Sequence, residues 1–247
     1  MRRSIIVLGA VACLGVLASA AHADLGWFKN KLRNLTDQPS GGIENIKLSD
    51  TKIGQGLKEA LKVGINNTVS QVGRTDGYLK NETIMLRLPE KLRTLEKGLR
   101  MVGFDKEVDE FVLSMNRAAE NAAPRARDIF LDSLFEMTIE DAQKIYRGDP
   151  TAATDYFRKN SYDRLYQSFQ PSVQESLEKY DVTAKYQILL DKYASLPLAK
   201  KFPAPGIDEY VVNKSLDGLF TVLGEQEQKI RTDPAARVTD LLREVFQ

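Results

Sequence analysis

The stretch DEYVVNKSLDGLFTVLGEQEQKI, residues 208–230, decides the fold class of this 247-residue chain. Its apolar residues recur at helical spacing and form one broad stripe, made of Val211, Leu216, Leu219, Val222 and Leu223. A stripe this wide is typical of a helix covered on much of its surface by other helices. The spacing therefore predicts a central core helix, and the same stripe would also suit an interface between copies of the chain.

Helical periodicity extends over the whole chain from residue 47 onward, and no stretch alternates convincingly in the way a sheet requires. Helix-start signals stand at Asp50, Pro89, Asp105 and Pro124. Further starts are predicted at Thr138, at the Asp-Pro pairs 149–150 and 233–234, and at Pro171. We expect an all-α fold, a single compact domain of about eight to ten helices over residues 47–247.

The N-terminus reads as a secretory signal. Arg2 and Arg3 precede an apolar run from residue 5 to 21, which closes on the small-residue motif Ala21-His22-Ala23. This order predicts a cleaved signal peptide over residues 1–23, a periplasmic mature chain and no transmembrane segment in that chain. A lipoprotein acylated at Cys13 is the alternative interpretation.

Residues 24–46 form an N-terminal amphipathic arm and a linker. LGWFKNKLRNLT at 25–36 places apolar residues and the only tryptophan, Trp27, among lysines and arginines, and DQPSGG at 37–42 reads as the linker. The arm either docks on the domain or frays, or it contacts a membrane surface, and its short length favours the first interpretation.

The composition excludes most familiar active sites. Cys13 and His22 are the only cysteine and histidine, and both lie in the segment predicted to be removed. A mature chain without them has no serine-histidine-acid triad, thiol nucleophile or conventional zinc site, whereas oxygen-ligand metals and carboxylate acid-base pairs stay open. No motif points to a cofactor or a metal, so we expect neither. Cleavage leaves 33 basic and 34 acidic side chains. That balance gives no reason to expect binding to nucleic acid.

Three groups of polar residues are candidates for chemistry. Asp128, Asp132 and Glu136 share one helix face, which we interpret as a solvated, ion-paired surface rather than a metal or acid-base site. Asn116, Arg117 and Glu120 follow an inward Met115 and form either an internal network or the polar floor of a cleft.

The third group lies near the C-terminus. Arg231 precedes the predicted helix start at 233–234, whose free amides would favour a bound anion, although pairing with acids such as Asp233 is the simpler interpretation.

Seven of the nine tyrosines lie between residues 146 and 193, a density that suits helix seams or a ligand groove.

The chain resembles a bacterial exported family known only as domain of unknown function 4197. The resemblance rests on five stretches: GLKEALKVG (56–64), LPEKLRTLEKGLRMVG (88–103), VDEFVLSMNRAAENAAPRARDIF (108–130), TAATDYFR (151–158) and KSLDGLFTVLGEQEQKIRTDPAARVTDLL (214–242). It implies an exported helical domain and brings no established activity. Where it is densest we predict ligand-binding residues: Asn116, Arg117, Glu120, Thr154, Asp155, Tyr156, Arg231 and Arg237.

These observations leave two principal hypotheses. The first is a non-enzymatic periplasmic binding or scaffolding protein of the cell envelope, whose ligand is a lipid, a cell-wall fragment or a partner protein, with the polar patch at 116–120 and the tyrosine-rich middle lining its cleft. The alternative is a carboxylate-dependent envelope hydrolase with Glu120 or Asp155 as the acid. The oligomeric state is left open.

Overall fold

A computed structural model of the chain describes residues 48–195 and 206–233, whose regular secondary structure is helical with no strand among them. The α-helices are α1 (Leu48–Gly73), α2 (Arg93–Met101), α3 (Asp105–Ala122), α4 (Ala126–Glu136), α5 (Ile139–Arg147), α6 (Ala152–Lys179), α7 (Val182–Ala194) and α8 (Ile207–Thr232). Short 3-10 turns at Glu90–Leu92 and Ala123–Arg125 precede α2 and α4. The predicted all-α class is confirmed. The N-terminal segments and the helix predicted after Pro234 lie outside the described residues.

Helix α8 is a core helix, as its apolar stripe predicts. All five stripe residues are buried, and the helix packs mainly against α6 and α1. The facing stripe of α1 contributes Leu57, Leu61, Ile65 and Val69 to the same core. Because a stripe over 100° wide needs neighbours on several sides, α8 lies at the centre of the described helices.

Local capping signals place several helix ends correctly. Thr138 and Asp141 form a capping box at the predicted helix start, in which each side chain bonds to the other residue's backbone N–H. Gly103 follows α2 at φ +87°, a left-handed conformation that favours glycine at a helix C-terminus. Helix α6 begins at Ala152, two residues after the predicted Asp-Pro start.

The helix start predicted at Pro171 is wrong. Helix α6 runs through it without a break and, at 28 residues, is longer than the 26-residue α8. Proline removes the N–H that would bond to the carbonyl of Gln167. Since Gln167 and Pro171 both face solvent, water can satisfy that carbonyl, while Phe169 and Val173 keep both halves of the helix in the core.

An extended segment, residues 83–88, lies between α1 and α2, and its first two residues, Thr83 and Ile84, still belong to a turn. Its side chains alternate, with Ile84, Leu86 and Leu88 buried and Met85 and Arg87 turned outward. This period of two is that of a β-strand, but no second strand accompanies it within the described ranges. The backbone of this segment must therefore find partners other than a sheet.

Tyr78 anchors the loop that carries the extended segment. Its ring is fully buried, and its hydroxyl donates a hydrogen bond to the carbonyl of Ser215 at 2.6 Å. The ring fits against Gly218 of α8, where an added Cβ would lie 2.6 Å from its Cε1 atom. A hydroxyl tied to the helix backbone leaves the ring little freedom to withdraw.

We predict that Gly218→Ala lowers the free energy of unfolding by about 2 kcal/mol, because overpacking against Tyr78 outweighs the better helix propensity of alanine. Urea denaturation measures the change. Gly54→Ala is the matched control, since a Cβ there meets its nearest neighbour, Ala142, at an ordinary 3.8 Å and the variant should be no less stable than the parent. Equal stability of the two variants would contradict the steric role of Gly218.

Candidate functional site

Asn116 lies inside the protein and bonds to the extended segment. Its Oδ1 atom accepts a hydrogen bond from the N–H of Leu86 at 2.9 Å, and its Nδ2 atom donates to the carbonyl of Leu86 at 2.9 Å and to that of Val112 at 2.8 Å. The side chain is fully buried. Asn116 thus supplies both bonds that a neighbouring strand would make to Leu86.

Arg117 and Glu120, which follow Asn116 on α3, bond to the loop that precedes the extended segment. Glu120 is 3% exposed, and its Oε1 atom accepts from the N–H groups of Tyr78 at 3.1 Å and Leu79 at 3.2 Å. Arg117 donates to the Oε2 atom of Glu120 at 2.5 Å and to Asp76 at 2.7 Å. Bonds from Lys80 and Arg117 lower the pKa of Asp76 below its usual value.

Thr154 and Arg231 meet at Glu227, a residue that the sequence analysis did not single out. The Glu227 carboxylate accepts from the N–H of Ala153 at 3.0 Å and from the N–H and hydroxyl of Thr154, both at 2.9 Å. These amides belong to the first turn of α6, so Glu227 caps that helix from α8. An acidic residue four before Arg231 is the signal that could have indicated the pair.

Arg231 is the other charged member of the network around Glu227. It pairs with Glu227 at 2.9 Å and donates to the carbonyls of Ile145 at 2.8 Å and Tyr146 at 3.4 Å, at the end of α5. The cation therefore lies at the negative end of one helix and its carboxylate partner at the positive end of the next. Glu227 and Arg231 join α5, α6 and α8 at one point.

The remaining predicted site residues are dispersed. Asp155 is exposed, and the hydroxyl of half-buried Tyr156 donates to the carbonyl of Ser133 at 3.3 Å. Arg237 lies outside the described residues. The structure brings Asn116, Arg117 and Glu120 together, and separately Thr154 with Arg231. Both groups bond to the protein's own backbone, and their ligand contacts remain predictions.

The carboxylate face of α4 is exposed, as expected. Asp128, Asp132 and Glu136 all reach solvent, and Glu136 lies 3.6 Å from Arg164. The described ranges contain no group of three His, Cys, Asp or Glu side chains placed to hold a metal ion. Within the same ranges, no helix combines the length and apolar character needed to cross a membrane.

Two cavities flank the extended segment. The larger, which we call the α2–α3 cleft, has a volume of about 720 Å³ and lies between the segment, α2 and α3. Its apolar lining consists of Leu79, Met85, Leu88, Val112 and Leu113. This volume falls within the range of small-molecule sites. None of the predicted site residues and none of the seven clustered tyrosines lines this cleft.

The rim of the α2–α3 cleft is basic. Arg87, Arg93, Lys97 and Arg100 stand there with two acids, Glu96 and Asp109. Both acids bond to one cation, because Arg100 reaches Glu96 at 3.1 Å and Asp109 at 2.8 Å. These bonds, the one to Asp109 first, raise the pKa of Arg100.

Two cations on this rim keep unneutralised charge. Arg93 pairs with Glu90 at 3.1 Å, but Arg87 and Lys97 have no carboxylate within salt-bridge distance among the described residues. Both are exposed, so their charge is available to a ligand over the apolar lining.

The smaller cavity, which we call the α8 groove, has a volume of about 310 Å³. It lies on the other side of the extended segment, whose residues 83–88 form one wall. Tyr210, Lys214, Asp217, Gly218 and Thr221 of α8 form the facing wall. The hydroxyl of Tyr210 donates to the carbonyl of Arg87 at 2.7 Å and closes one end.

Fold and site together define an all-α domain with two clefts on either side of one extended segment. The model of the family described as protein of unknown function (DUF4197) matches residues 47–247, and the chain belongs to this family. No curated protein and no solved structure matches the chain significantly.

We predict that Glu227→Gln lowers the free energy of unfolding by about 3 kcal/mol, because it removes the negative charge that pairs with Arg231 and weakens the cap of α6. Chemical denaturation gives the loss of stability. Hydrogen exchange locates it, with faster exchange expected at the amides of Ala153 and Thr154.

Glu225→Gln is the control for this substitution, since Glu225 lies on the same helix and is half-buried. It should change stability little and leave those two amides protected. Unchanged exchange in Glu227→Gln would show that the carboxylate does not cap α6.

Proposed function

We propose that the protein is a non-enzymatic binding protein of the bacterial cell envelope, which is exported with a cleaved signal peptide and holds an anionic amphiphile in the α2–α3 cleft. The observation that carries the proposal is the pairing of an apolar lining with unneutralised cations on its rim. An acyl chain would replace water on the lining, and its acidic head group would meet Arg87 and Lys97.

The lining is suited to a flexible apolar chain. Val112 packs against the hydrophobic core, and Leu88 is buried, whereas Leu113 remains 39% exposed at the mouth. Met85 is unbranched and half-buried, and such a side chain adapts to ligands of different shape. A lipid-like ligand would cover apolar surface that otherwise faces solvent.

The envelope hydrolase is less well supported. Such an enzyme needs two carboxyl groups at a set separation beside a cleft. The two acids of the α2–α3 cleft, Glu96 and Asp109, both bond to Arg100. Glu120 faces backbone amides in the interior, and Asp155 is exposed on α6 and lines neither cavity.

We predict that the purified domain binds 11-(dansylamino)undecanoic acid with increased fluorescence and that palmitate displaces it. Methyl palmitate should compete far less well, because it lacks the negative charge that the basic rim attracts. The double variant Arg87→Glu with Lys97→Glu should weaken binding by about tenfold or more. Titration at low and high salt should show that salt weakens binding to the parent protein.

The double variant Lys106→Glu with Lys159→Glu is the control, since it changes the net charge equally at exposed sites outside both cavities. Leu113→Asn tests the lining, with Ile139→Asn as its control, because the two side chains are 39% and 40% exposed. No binding of the probe, or equal losses in test and control variants, would refute the proposal.

The export part of the proposal has its own test. We predict that protein recovered from the periplasm begins at Asp24, because the signal peptidase cuts after Ala23. Intact-mass measurement checks this. A mature chain that begins at an acylated Cys13 would support the lipoprotein alternative, and a full-length chain in the cytoplasm would contradict export.

A further inference from the structure

The backbone of the extended segment has one side that is bonded and one that is partly open. On the α3 side, Asn116 bonds to both backbone groups of Leu86. In an extended chain the backbone groups of the two neighbouring residues point the opposite way. The bond from Tyr210 of α8 to the carbonyl of Arg87 shows that this opposite side is the α8 groove.

Two backbone groups on the groove side are unpaired. The N–H of Met85 bonds to the carbonyl of Asn81 at 2.8 Å, and the carbonyl of Arg87 is taken by Tyr210. The carbonyl of Met85 and the N–H of Arg87 have no hydrogen-bond partner among the described residues. They bracket Leu86 and line a groove of about 310 Å³.

A peptide strand in parallel register would satisfy both of these backbone groups. In a parallel strand pair, a residue on one strand donates its N–H to the carbonyl of the residue that precedes its opposite residue. Its own carbonyl accepts from the N–H of the residue that follows that opposite residue. A single residue placed opposite Leu86 would therefore satisfy both the carbonyl of Met85 and the N–H of Arg87. Edge strands with such open groups are the usual templates for an added strand.

We propose that the α8 groove binds a short extended peptide segment of a partner protein, which adds in parallel register to residues 85–87. This inference rests on the open backbone groups of residues 85 and 87 and not on the proposed lipid ligand. The two sites share the Arg87 side chain, which lines both cavities, so a bound anionic amphiphile and the peptide would compete for it. The carbonyl of Asn81, bonded to Met85, limits the peptide at one end and Tyr210 limits it at the other, so the bonded stretch is short.

The side chains around the groove define the preferred peptide. The residue opposite Leu86 turns its side chain to the same face as buried Leu86, so it must be small. The next residue stands opposite Arg87, which has no carboxylate partner among the described side chains. An acidic side chain at that position would pair with Arg87, so the preferred order is a small residue followed by Asp or Glu.

The first test measures amide hydrogen exchange in the free protein, with NMR as the method of detection. We expect the amide of Arg87 to exchange rapidly, while that of Leu86, bonded to Asn116, is protected at least a hundredfold more. Equal protection of the two amides would show that the groove side is already covered, and would overturn the proposal.

The second test selects a phage-displayed library of random dodecapeptides on the immobilised full domain. Arg87→Pro removes the backbone N–H together with the side chain, whereas Arg87→Ala keeps the N–H. Selected peptides should carry the small-acidic pair. They should bind Arg87→Ala more weakly and lose all measurable binding to Arg87→Pro.

Circular dichroism and urea denaturation of Arg87→Pro check that the fold is kept, since proline suits an extended position whose N–H is unpaired. In the parent protein, a bound peptide should slow exchange of the Arg87 amide at least tenfold. Peptides that bind both variants equally, that leave this amide unprotected, or that show no small-acidic pair would overturn the assignment.

Discussion

The packing of Tyr78 against α8 is the constraint on which the rest of the structure depends. Its ring occupies the space that Gly218 leaves open, its hydroxyl bonds to Ser215, and its N–H bonds to Glu120 of α3. Three contacts in different directions fix the loop after α1 between two helices. Because that loop leads into the extended segment, the wall shared by both clefts is positioned from the interior of the protein.

Buried polar side chains here complete the backbone hydrogen bonding of irregular elements. Asn116 takes the place of a strand beside Leu86, and Glu227 takes the place of an N-cap at α6. A buried peptide group without a partner is costly, so a helical protein that includes one extended segment needs such substitutes. The same bonds explain why these conspicuous polar residues do not line either cleft.

The helical pattern of the sequence was sufficient for the fold but not for the site. The stripe of α8, the capping box at Thr138 and the stop at Gly103 depend on neighbours within a turn, so local rules place them. The same rules wrongly predicted a helix start at Pro171, because the effect of a proline on a helix depends on whether it faces solvent. The partners of Asn116, Glu120 and Glu227 lie 30, 42 and 74 residues away in sequence, and the open backbone groups at 85 and 87 have no residue-type signal at all.

The bonds from α8 also bear on the order in which the chain folds. Tyr78 and Ser215 are 137 residues apart, and Ala153 and Glu227 are 74 apart. Until α8 has been synthesised, the first turn of α6 lacks the Glu227 carboxylate and the Tyr78 ring lacks the space beside Gly218. Contacts of such long sequence separation form slowly, because loop closure precedes any gain in stability. A domain held together by such contacts cannot complete its fold before α8 is present.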